Sequence, residues 1–144
     1  MKIYFDNCTL NRQFDDQLSM LVKIEIMTIL AIQEMVKSGE IELLWSDILD
    51  YENNNNPHEK RRTQIAEWES HSFEKVKFND EIEEMAGKYM KIGLKKMDAL
   101  HVASAVFGKC DYFITVDKKI LNKNIKETTV INPVTFLWRL QNDD

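Results

Sequence analysis

The chain has little of what staples or breaks a fold: two cysteines, two prolines and four glycines in 144 residues. Cys8 and Cys110 lie far apart without CxxC spacing, which excludes a disulfide framework and a zinc knuckle and suits a reducing, cytoplasmic compartment. No hydrophobic run is long enough to cross a membrane, and the N-terminal "IYF" is too short for a secretory leader. Internal repeats are absent, and "ENNNNP" (residues 52–57) is the one low-complexity patch. Positive charge is also short, with 19 Lys and Arg against 24 Asp and Glu, a net −5. That argues against coating nucleic acid by bulk charge but leaves room for a local basic rim. No GxxxxGK[ST] loop, Ser–His–Asp set or placed Cys–His pair is present, so ATP use and nucleophilic catalysis of those kinds are not expected. "DNCTL" lacks the second Asp of an aspartyl-phosphatase DxDx[TV] pattern.

What is present is enough for one core. Hydrophobic residues make up 44% and charged residues 30%, and no linker interrupts the chain, so residues 1–144 are expected to form a single domain. "KIYF" reads as a buried strand, and "NCTLNRQFDD" as a loop. Residues 17–37 carry apolar positions at helical spacing, capped by Asp15 or Asp16 and ended by Gly39. "IELLW" is a second strand, and Ser46 starts the helix "SDILDYEN". A polar helix, a short strand "KVKF" and a helix capped at Asn79-Asp80 follow. Then come the apolar helix "MDALHVASAVF", the strand "DYFITVD", a short helix "KKILNK", a last strand "TTVINP" and a closing helix from Pro133. Strands alternating with helices predict an α/β domain, a mainly parallel sheet under helices on both faces.

The carboxylates recur at particular places in that order. Asp6 follows the first strand and Asp117 follows "YFITV"; Glu52 lies on the helix after the second strand, and Asp98 heads an apolar helix. Ligand sites in parallel sheets form beyond the carboxyl ends of strands where strand order reverses, so these four can meet at one edge. Carboxylates sharing a site raise one another's pKa, and a divalent cation relieves this; all-oxygen ligands favour Mg²⁺ or Mn²⁺. Such a cation suggests metal-assisted phosphodiester hydrolysis. Taken singly each acid has a plainer reading: Asp6-Asn7 as a turn, Asp98 and Asp117 as helix caps, Glu52 as a solvated acid.

At these residues the chain resembles a PIN domain, the metal-dependent nuclease fold of VapC-type toxins. The resemblance is carried by "IYFDNCTLNR", "SDILDYEN", "MDALHVASAVFGKCDYFITVDKKIL" and "VINPVTFL", and the third segment is the most specific. It implies a PIN-like three-layer domain with the strand of Asp6 beside the strand before Asp117. It places the family's acids on Asp6, Asp98 and Asp117, and the middle Glu on Glu52, six residues after Ser46, with Asp47 and Asp50 as near alternatives. Thr115 falls where a hydroxyl orients Asp117 or binds phosphate.

What the resemblance implies is a Mg²⁺- or Mn²⁺-dependent ribonuclease acting on RNA, the toxin of a toxin–antitoxin pair, as a homodimer masked by a small antitoxin protein. The alternative is a PIN module that binds nucleic acid or protein without cutting. Asn7, Arg12 and Lys118 are further candidates for supporting the acids or holding phosphate, with Lys95, Lys96 and Lys119 at the rim. His101, one turn beyond Asp98, is read as satisfying a buried polar neighbour rather than binding metal. Asp111 is expected at the opposite end of its strand.

Overall fold

The apolar runs read as strands are strands in the computed structural model, which describes residues 1–142. They are β1 (Lys2–Phe5), β2 (Glu42–Ser46), β3 (Glu74–Val76), β4 (Tyr112–Ile114) and β5 (Thr129–Ile131). All pair in parallel, in the order β3-β2-β1-β4-β5. The sheet is therefore wholly parallel, beyond the mainly parallel one expected. From β1 the chain winds outward through β2 to β3, then returns past β1 to form β4 and β5. The order reverses between β1 and β4, where Tyr4 lies beside Phe113 and Phe5 beside Ile114.

The helices are α1 (Asn7–Asn11), α2 (Met20–Lys37), α3 (Asp47–Asn54), α4 (Glu59–Glu67), α5 (Asp80–Lys91), α6 (Lys96–Phe107), α7 (Lys118–Leu121) and α8 (Pro133–Asn142). Side-chain caps explain several of their starts. Ser46 Oγ accepts from Leu49 N at 3.1 Å, and Asn79 Oδ1 from Ile82 N at 3.0 Å. Gly39 follows α2 at φ +84°, a left-handed turn that a side chain would strain. On one side of the sheet α2 packs with α8; on the other, α6 packs against α5, α3 and β2. Ile3, Tyr4, Phe5, Leu44, Phe113 and Ile114, all buried, form the middle of the core.

Three local expectations are corrected. "NCTLNRQFDD" is not a loop: it forms α1 and a 3₁₀ turn over Arg12–Phe14. Asp6 caps α1 by accepting from Thr9 N, and only Thr9 and Leu10 of the helix are buried, too few to show a period. Helix α2 starts at Met20 rather than at residue 17, because Ser19, not Asp15 or Asp16, is its cap; Asp16 instead accepts from Leu18 N. Asp98 is not a cap, since Lys95 holds that position and Asp98 lies within the first turn of α6.

Candidate active site

Asp6 leaves β1 at the reversal point of the sheet and is 2% exposed. Its carboxylate is gripped from three sides. Thr9 N and Thr9 Oγ1 donate to Oδ1, while Thr115 Oγ1, at 2.8 Å, and Cys8 Sγ, at 3.3 Å, donate to Oδ2. Burial pushes the carboxyl above its ordinary value, against the pull of the Thr9 bond, His101 and Thr115. Thr115, expected to orient Asp117 or bind phosphate, directs its hydroxyl to a different carboxylate. It donates to Asp6 and accepts from Asp117 N at 3.0 Å, so one hydroxyl ties the two strand-exit acids together. Asp117 caps α7 through Lys119 N at 2.9 Å.

Asp98 comes to the same place from α6. Burial raises its carboxyl, and so do the negative charges of Asp117 and Asp6, with Glu52 adding to them; His101 opposes. The four acids nominated from the sequence therefore share one electrostatic neighbourhood. Among the described residues none of the four is ion-paired to a lysine or arginine. Nor do any three Asp, Glu, His or Cys side chains among the described residues converge tightly enough to hold a metal ion. Asp6 faces its hydroxyl donors, Asp117 its cap, and Glu52 a histidine. The donors fit a hard divalent cation in kind and in shared negative field, and side-chain rotation would have to bring them together.

Glu52 is held by His101, whose Nε2 lies 2.6 Å from Oε1. The near alternatives point elsewhere. Asp50 accepts from Trp45 Nε1 and Lys75, and Asp47 from Phe78 N, both beside β3. His101 satisfies a buried polar neighbour, as expected: Nδ1 is 2.6 Å from Tyr4 Oη, and Tyr4 Oη is 2.7 Å from Ser46 Oγ. Asp111 accepts from Lys2 N at the start of β1, the end away from the acids.

The supporting candidates divide. Asn7 sits in α1 directly after Asp6, with Oδ1 buried and unpartnered. Arg12 is engaged by Asp15 at 3.0 Å and Glu25 at 3.3 Å. An open cavity of about 300 Å³ beside Asp117 is lined by Cys8, Arg12, Asp15, Val116 and Lys118, and Lys118 is solvent-exposed. Sequence reading missed Tyr4, Thr9 and Ser46. Thr9 was visible in principle, three residues after an Asp that caps a helix. Tyr4 lies two residues before Asp6, the spacing of a shared strand face.

No family model matches the chain, and no curated protein matches it. Among solved structures, it is similar to a chain in the crystal structure of VapBC2 from Rickettsia felis bound to a DNA fragment from their promoter. The TM-score is 0.62 at 10% identity, over 92% of this chain and 98% of that one. The likeness runs through nearly the whole of both chains, and what the two share is the PIN-like α/β fold to which the acid-bearing segments pointed.

Proposed function

We propose that the protein is a ribonuclease that hydrolyses RNA phosphodiester bonds with Mg²⁺ or Mn²⁺. One observation carries the reading: four carboxylates from separate elements share a neighbourhood at the sheet's reversal point without a lysine or arginine ion pair among the described residues. Such a set is costly in a bare protein and useful to a cation-assisted hydrolase.

Asp6, Asp98 and Asp117, with Glu52 directly or through water, would hold the cation. When bound, it supplies positive charge that activates water and stabilises the phosphate oxygens. Thr9 and Thr115 keep Asp6 oriented before any substrate arrives. Lys118 and Lys119, exposed beside Asp117, attract the RNA backbone toward the acids. Water oxygen forms the new bond to phosphorus as the bond to the 3′ oxygen breaks, leaving a 5′-phosphate and a 3′-hydroxyl. A toxin role, with a small antitoxin that masks the site, extends the same reading, and the fold shared with a VapBC2 chain supports it.

A second reading is favoured by the lack of any three convergent ligands among the described residues. In it the domain binds nucleic acid without cutting. Incubation with mixed single-stranded RNA in Mn²⁺ or EDTA separates the two. We expect Mn²⁺-dependent cleavage by wild type and a loss of about 10²-fold or more in Asp6→Asn and Asp98→Asn. RNA retained uncut by wild type would leave the binding module; equal cleavage by all three proteins would remove the carboxylate mechanism.

A further inference from the structure

Glu52 is half-buried on α3, and one of its oxygens is tied into the core. Ser46 at the end of β2, Tyr4 on β1 and His101 on α6 form a continuous hydrogen-bonded line to it, and none of the three is more than 1% exposed. Tyr4 is fixed further by stacking on Phe113, with ring centroids 5.4 Å apart.

For a neutral His101 the protons in this line can be placed by elimination. Leu49 N–H is a donor only and gives its proton to Ser46 Oγ. A tyrosine phenol, which ordinarily titrates at about 10, keeps its proton at neutral pH and donates it. If Tyr4 donated to Ser46, neutral His101 would carry its proton on Nδ1 and present a bare Nε2 lone pair to the Glu52 carboxylate at 2.6 Å. Two acceptors at that distance repel. In the opposite direction every proton has an acceptor: Ser46 O–H to Tyr4 Oη, Tyr4 O–H to Nδ1, and Nε2–H to Glu52 Oε1.

We infer that Ser46, Tyr4 and His101 are positioning residues that fix His101 as its Nε2–H tautomer and so hold Oε1 of the Glu52 carboxylate in place. The line engages Oε1 and leaves Oε2 out of it. It starts and ends on α3, since Ser46 caps the helix that carries Glu52, so the cap and the acid are set by one network. His101 lies one turn from Asp98, and α6 therefore supplies one acid of the set and orients another. Outer partners of this kind matter because an ion finds its ligands already aimed. The inference rests on the ribonuclease reading for its purpose but not for its proton assignment.

The test has two arms. Imidazole ¹⁵N spectra of the metal-free protein at neutral pH are expected to show His101 as the Nε2–H tautomer. In Tyr4→Phe, which keeps the ring on Phe113, Nε2 should stay protonated against Glu52 while the Nδ1 resonance moves from that of a hydrogen-bonded lone pair to that of a free one. An Nδ1–H tautomer or an imidazolium in wild type overturns the assignment, as does an unchanged Nδ1 resonance in Tyr4→Phe. In the second arm, Mn²⁺ titration of His101→Ala should show affinity reduced by about 10-fold or more. His101→Gln, whose amide N–H can replace Nε2–H, should recover most of it. Equal affinities for the Ala and Gln variants would show that His101 acts only as filling. A wild type that neither binds Mn²⁺ nor cleaves RNA counts against the ribonuclease reading, while the ¹⁵N spectra still decide the proton assignment.

Discussion

At the scale of single residues, the site holds charge the fold would be steadier without. Asp6 and Asp98 both have carboxyl groups raised above the ordinary 3.8, burial being the main cause and other carboxylates adding to it for Asp98. The sign follows from linkage. A raised carboxyl binds its proton more tightly in the folded state, so it contributes stability below its unfolded pKa, and that contribution is lost as pH rises through the folded value. At pH 7 in EDTA, Asp98→Asn is therefore expected to melt higher than wild type by about 2–4 °C, the scale of roughly 1 kcal/mol in a domain near this size. Calorimetry from pH 4 to 7 should also show a flatter stability profile in the variant. An equal or lower Tm would mean that solvent already screens the acids. Adding Mn²⁺ should reverse the order, because a cation bound only to the folded state stabilises wild type by about 2.7 kcal/mol at a hundredfold excess over Kd.

Residues also mark how far sequence reading reaches. Asp6, Asp98 and Asp117 stand where their motifs put them, because strand exits and helix starts are local signals. Choosing Glu52 over Asp47 and Asp50 rested on the resemblance, which puts the acid six residues after Ser46; in the structure Glu52 meets His101, and the other two meet partners near β3. What stayed hidden is long-range. No local pattern shows that Tyr4 links Ser46 to His101, or that Arg12 finds Glu25 across the turn into α2.

At the scale of elements, the strands and most helices were legible from apolar periodicity, and α1 was not, because a single side-chain cap and two buried residues make it. The seat of α6 was equally invisible. A Cβ on Gly108 would lie 2.3 Å from Leu44 Cδ2, which is itself fully buried and has nowhere to go. Gly108→Ala should therefore cost about 1–3 kcal/mol in urea unfolding by prying the end of α6 from β2. Ser46→Ala removes a helix cap at about 1 kcal/mol. Were its effect confined to stability, with Mn²⁺ affinity untouched, the cap would be separable from the line to Glu52.

At the scale of the whole molecule, two surfaces carry expectations. On the ribonuclease reading, the net charge of −5 opposes RNA, so local cations would have to do the attracting. Lys118→Ala with Lys119→Ala should raise KM for RNA several-fold while leaving kcat nearly unchanged, and should flatten the dependence of binding on salt. A kcat loss without a KM change would put these lysines in the chemistry. The second surface is apolar. Helix α2 exposes Met20, Leu21, Ile24, Met27 and Leu30, and α8 exposes Val134 and Trp138. Exposed apolar side chains on two helices that pack together suit a face covered by another chain. Sedimentation velocity at micromolar concentration is expected to give a mass above the 17.0 kDa protomer. Met27→Glu with Trp138→Glu should return it to one protomer. A wild type that stays monomeric would leave the face to a different protein.

The reversal of strand order has a consequence in time as well as in space. β1 is made well before its partner β4, with Thr115 reaching Asp6 across 109 residues. Strand β1 can meet β2 early but must wait for most of the protein before its other edge is covered. Asp117 and Asp98 arrive in that same late stretch, so a chain stalled part-way on the ribosome carries Asp6 and Glu52 without the acids that complete the set. On the ribonuclease reading, any hydrolytic hazard to the messenger that encodes it is deferred until β4 and the acids around it have been made.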